Sequence, residues 1–90
     1  MVNIGLSNEE IKQKLFKELP GRLRLLRKQK GITQGDVAHL LNVSRSTYTY
    51  YEIGKSYISL AGLIRLADYY GTTTDYLLGR TSSPEGISIK

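Results

Sequence analysis

Ninety residues are enough for one domain with a single modest core. The complete absence of cysteine excludes disulfides, thiolate zinc sites and cysteine nucleophiles, and it suits a reducing, cytoplasmic setting. The formal charge of +5 is concentrated, since residues 20–55 carry seven Lys and Arg against two acidic residues while the segments on either side are balanced. A polyanion would therefore meet that stretch first.

The opening residues MVNIGLSNEE lack the basic and apolar runs of a secretory leader. No apolar run approaches the roughly 20 residues of a membrane span. Ser7 followed by Glu10 is a capping box, and Ile11, Leu15 and Leu19 then form an apolar stripe, predicting an N-terminal amphipathic helix over residues 1–19. Pro20 either opens a new helix or interrupts a longer one. The helix that follows carries Leu19, Leu23 and Leu26 on one arc and stops at Gly31, with Leu25 facing away.

Thr33 and Asp36 cap the next helix, which buries Val37, Leu40 and Leu41 and offers the small Ala38 for a close crossing. Asn42 ends it in the left-handed conformation, Val43 fills the turn, and Ser44 caps a further helix that closes near Gly54. Ser59 caps a helix with Leu60, Leu63, Leu66, Ala67 and Tyr70 on one face. Thr73 caps a short last helix, with Asp75 in its first turn and Tyr76, Leu77 and Leu78 as apolar surface. Residues 80–90, which include GISIK, read as a tail.

The predicted fold is all-α: a compact bundle of five short helices with a helix-turn-helix in residues 20–79, plus the extra N-terminal helix. The two helices across residues 32–55 form the unit suited to placing a helix in the major groove of duplex DNA. From about residue 19 to residue 80 the segments RLRLLRKQKGITQ, VAHLLNVSRSTYTYYEIGK and SLAGLIRLADYYGTTTDYLLGR resemble the Cro/CI-type helix-turn-helix domains of the XRE family, with their lambda repressor-like fold. Gly35, where the family usually has a charged helix former, and Asn42, where it commonly has glycine, depart from the pattern.

At about 100° per residue, Tyr48 and Tyr51 share one arc of the second helix of this unit, with Ser44 and Glu52 beside them. Ser46, Thr49, Tyr50 and Ile53 share the other, with Arg45 at its edge. The resemblance implies that Ser44, Arg45, Ser46, Thr49 and Tyr50 contact bases. Arg45 can pair with guanine O6 and N7 or, from the same place, with a phosphate. Ser46 and Thr49 are short enough for a deep approach, and Tyr50 can lie against bases or pack on the loop at Tyr57.

Gln34 stands where free backbone N–H groups of a helix start point outward, and the resemblance implies that it clamps a phosphate. Lys55, Ser56 and Tyr57 follow the reading helix and can reach the backbone further along. Arg27 and Glu52 both fall on buried arcs and are expected to pair as a structural ion pair.

His39 is the lone histidine, and there is neither a spaced carboxylate pair nor a Gly-Lys-Ser/Thr loop, so no enzyme, metal or cofactor is expected. The expected function is sequence-specific binding of double-stranded DNA at a palindromic operator, as a homodimeric transcriptional regulator of the repressing kind. The setting is the cytoplasm and nucleoid of a bacterium, from a chromosomal or phage gene. The competing reading is an antitoxin or transcriptional adapter that acts mainly through a protein partner, such as a toxin or antirepressor.

Overall fold

The computed structural model describes residues 5–85, and within them every regular element is a helix. These are α1 (Asn8–Lys30), α2 (Gln34–Leu41), α3 (Arg45–Ile53), α4 (Leu60–Tyr70) and α5 (Thr74–Leu77). Residues 86–90, the GISIK segment, lie outside the described residues.

Each helix starts where a short polar side chain can satisfy its free amides. Ser7 accepts from the Glu10 amide while the Glu10 carboxylate accepts from the Ser7 amide, and Thr33 and Asp36 repeat the exchange on α2. These hydrogen bonds hold both carboxyls below their ordinary pKa. Ser44, Ser59 and Thr73 cap α3, α4 and α5 in the same sense, accepting from the amides of Thr47, Gly62 and Tyr76. Asn42, at φ 59°, ends α2 with its amide turned back to the carbonyl of His39.

Of the two outcomes open at Pro20, the chain takes the continuous one. The amphipathic N-terminal helix and the first helix of the bundle are a single 23-residue α1. Pro20 cannot donate to the carbonyl of Phe16, which ordinarily costs a helix about 3 kcal/mol. The capping box at one end, Gly31 at the other and burial of the Pro20 ring with Leu19, Leu23 and Leu26 keep the helix intact.

The core is built from Leu19, Leu23 and Leu26 of α1, Val37 and Ala38 of α2, Tyr48 of α3, Leu63, Leu66 and Ala67 of α4, and Tyr76 and Leu77 of α5. Leu60 departs from the apolar face expected of α4. It is 80% exposed, because the first residue of that helix stands beyond the core edge. Leu25 is exposed, as its position on the outer arc of α1 requires.

Arg22 fastens α1 to the C-terminal part of the domain. Its Nη1 donates to the Tyr76 carbonyl at 2.6 Å, its guanidinium lies 4.1 Å from the Tyr76 ring centroid, and Glu18 sits 3.7 Å away. Gly79, at φ 78°, closes the same seam, where an added Cβ would lie 2.5 Å from Cβ of Glu18. Gly79→Ala is therefore expected to cost about 1–2 kcal/mol for the left-handed backbone alone, with the clash on top. The check is a lowered midpoint in thermal unfolding followed by circular dichroism.

Candidate nucleic-acid interface

Arg45 and Ser46 at the start of α3 are exposed, as are Tyr50 and Ile53 further along, while Tyr48 and Glu52 are buried beneath them. Tyr51 is half-buried and meets Tyr48 edge-on at 6.1 Å. Arg45, Ser46, Thr49 and Tyr50 together line one shallow outward concavity. Ser44 faces solvent too, but its hydroxyl is occupied twice, accepting from the Thr47 amide and donating to Thr47 Oγ1 at 2.9 Å.

A buried carboxylate fixes this surface to the scaffold. Arg27 Nε donates to Glu52 Oε2 at 2.6 Å, and Arg27 Nη2 donates to Oε1 at 3.2 Å, a two-pronged pairing. Arg27 Nη1 reaches on to the Ile32 carbonyl. The Tyr48 hydroxyl donates to the same carboxylate, and Gln34 Nε2 adds a further bond at 3.1 Å. Glu52 is 2% exposed, and burial alone would raise its carboxyl pKa; the hydrogen bonds from Arg27, Tyr48 and Gln34 outweigh that and hold it below the ordinary value. Burial and the adjacent carboxylate push the Tyr48 phenol up, so it remains a donor.

The network reaches the outward side of α3. Thr49 Oγ1 lies 3.2 Å from Gln34 Oε1 and 2.9 Å from the Arg45 carbonyl, so its one hydroxyl proton is shared inside the protein. Its oxygen lone pairs and methyl take no part in these two bonds. Gln34 thus ties the start of α2 to Glu52 and Thr49, which leaves one proton of its side-chain amide and, in the first turn of α2, the backbone amides of Gln34 and Gly35 outside these bonds. Lys55, Ser56 and Tyr57 are exposed beyond α3, and the Tyr57 ring stacks on Phe16 of α1 at 4.5 Å.

The concentrated charge is partly absorbed by the fold. Arg22 and Arg27 serve the internal contacts above, Arg24 Nη1 donates to the Glu52 carbonyl at 3.2 Å, and Lys30 lies 5.0 Å over the Tyr69 ring. The sequence pattern did not expose the shares of Tyr48, Gln34 and Arg24 in this network. Tyr48 stands four residues before Glu52 on the same helical arc, a spacing that signals a contact, but a buried tyrosine reads first as apolar filler.

The helix-turn-helix family model HTH_3 matches residues 23–77, from the middle of α1 to the end of α5. The chain belongs to the XRE-type helix-turn-helix family of DNA-binding domains, which are not enzymes. It is similar to the HTH-type transcriptional regulator AnsR of Bacillus subtilis, 42% identical over 72 residues that cover 76% of this chain and 62% of AnsR. It is similar as well to the SPbeta prophage-derived regulator YonR of the same organism, 40% identical over 60 residues, covering 67% of this chain and 56% of YonR. A third relative, the regulator YobD, is 36% identical over 64 residues, covering 71% and 57%. The chain therefore spans about three-fifths of the length of these relatives. No solved structure matches it. Among the described residues no helix is long and apolar enough to cross a membrane.

Proposed function

We propose that the chain reads a palindromic operator in double-stranded DNA as a homodimer, acting in the bacterial cytoplasm as a transcriptional regulator of the repressing kind. The observation that carries this reading is the outward row of Arg45, Ser46, Thr49 and Tyr50 on a helix whose inner side is locked by Glu52. A reading helix must be both open and fixed, since base contacts tolerate little displacement. Arg45 takes a guanine edge, Ser44, Ser46, Thr49 and Tyr50 contact neighbouring bases, and Gln34, Lys55, Ser56 and Tyr57 hold phosphates on either side. The two copies would occupy major grooves about one helical turn apart.

Titration of random and operator duplexes at several salt concentrations tests the reading. The logarithm of affinity should fall with that of salt by about 0.9 per phosphate contact, with tighter binding to one selected site. Salt-independent binding, or equal affinity for all duplexes, contradicts it.

The dimer surface in this reading is the apolar groove of about 490 Å³ between the first turns of α1 and the start of α4. Ile11 and Leu15 form one wall, Leu60 another, and Leu63 and Leu78 the base. The wall on α1 extends ahead of the matched domain, so a twofold axis would lay each α1 start across the base of the other groove, a self-complementary contact. Leu60→Asp should leave the fold intact, because Leu60 is outside the core, and shift the chain towards monomer in sedimentation. A persistent dimer would move the contact elsewhere and favour a toxin or antirepressor as the occupant of the groove.

A further inference from the structure

The reading above gives the apolar side of the α1 start a role but leaves its other side unused. On that side Phe16 stacks on Tyr57 with ring centroids 4.5 Å apart and planes 20° from parallel. The same turn closes on the end of α3, since a Cβ at Gly54 would lie 3.6 Å from the Phe16 ring and 3.5 Å from the Pro20 ring. The beginning of α1 is thus anchored to the loop that leaves the reading helix.

At about 100° per residue, Gln13, Lys17, Arg24 and Lys28 fall in one strip along α1, turned away from Ile11 and Leu15. All four are exposed. The bond from Arg24 to the Glu52 carbonyl places this strip beside the end of α3. The acidic residues of the region are engaged elsewhere: Glu9 lies 3.9 Å from Lys12, Glu10 closes the cap at Ser7, and Glu18 faces Arg22. Among the described residues Lys17 forms no ion pair, so its charge is available to an outside partner.

We infer that this strip is a second backbone clamp: Lys17, with Gln13 and the flanking Arg24 and Lys28, holds the sugar-phosphate chain of the duplex beyond the segment read by α3. The inference rests on the DNA reading proposed above. The placement suits phosphate rather than bases, because the strip lies on α1, outside the row that α3 turns outward, and contacts to phosphate carry no sequence information. The Phe16–Tyr57 stack would then do two things at once. It holds Tyr57 against its own phosphate, and it sets the spacing between the two clamps.

The test compares Lys17→Gln, Lys17→Arg and Gln13→Glu in the full chain, titrated against random and selected duplexes across a salt series. Lys17→Gln should lower the salt slope by about 0.9 and weaken random and selected duplexes by the same factor. Across a change from about 50 to about 200 mM salt, the affinity ratio of wild type should exceed that of the variant by about threefold. Lys17→Arg should restore the slope, and Gln13→Glu should weaken every duplex alike. Circular dichroism melts of all three should match wild type, since these side chains are exposed. An unchanged slope for Lys17→Gln with full affinity for Gln13→Glu, in a protein that still prefers one site, overturns the inference and leaves the DNA reading standing. A wild-type protein with no preference among duplexes removes both.

Discussion

Glu52→Ala is expected to destabilise the fold by on the order of 3–5 kcal/mol, the usual consequence of stranding one half of a buried ion pair. The loss is large against the roughly 5–15 kcal/mol that holds a domain of this size together. At about 4–8 °C per kcal/mol, the melting midpoint should fall by at least about 12 °C. The size follows from how many groups converge on one carboxylate. Removing it leaves the Arg27 guanidinium, the Tyr48 hydroxyl and the Gln34 amide without their shared acceptor.

Glu52→Gln separates charge from shape. It keeps the volume and one acceptor, so it should retain part of the lost stability and still leave Arg27 uncompensated. The two proteins should also differ in acid. The Glu52 carboxyl is held below its ordinary value of 4.5, so ionised Glu52 contributes stability above that pH and the contribution is lost as pH falls through the lowered folded value. Wild type should therefore lose stability more steeply below about pH 4.5 than Glu52→Gln. The slope of the variant will not be zero, because Glu10 and Asp36 are held low in the same direction by their capping boxes. Equal acid slopes in the two proteins would mean that the buried carboxylate contributes nothing through its charge.

Arg45→Ala should leave the fold almost untouched and change what it recognises. Arg45 is exposed at the first residue of α3, so truncation removes little packing. A bidentate arginine–guanine pair gives about 1–3 kcal/mol of discrimination, or roughly 5–150-fold between the preferred base and its competitors. The variant should bind the operator more weakly and rank single-base variants at one position nearly equally. If Arg45 instead meets only a phosphate, all sequences weaken together and the ranking survives. Lys55→Ala is the useful comparison, since a phosphate contact weakens every duplex by one factor. Melting curves of the two variants should be close to wild type, which keeps the binding result interpretable.

Much of this molecule could be read from local sequence. Every helix start was marked by a Ser or Thr whose hydroxyl can accept from a first-turn amide, and the stops at Gly31, Asn42, Gly54 and Gly71 follow from the left-handed conformation that ends a helix there. The outer arc of α3 was legible for the same reason, because helical periodicity alone separates Tyr48 and Glu52 from Ser46, Tyr50 and Ile53.

What local pattern could not decide was settled by tertiary contact. Pro20 carries opposite meanings at a helix start and inside a helix, and burial of its ring beside Gly54 selects the second. Leu60 belongs to the apolar face of α4 by periodicity, yet no element lies over the first residue of that helix. The seven cations of residues 20–55 look alike in a charge count, but Arg22 and Arg27 serve the interior. Phe16 and Tyr57 are 41 positions apart, and nothing local announces their stack.

The central proposal is that the exposed side of α3 meets base edges in the major groove. Selection of bound sequences from a pool of random duplexes at moderate ionic strength tests it most directly. The proposal predicts an enriched inverted repeat whose half-sites lie about one helical turn apart. Recovery of no common sequence, with binding that scales only with duplex length, would contradict it.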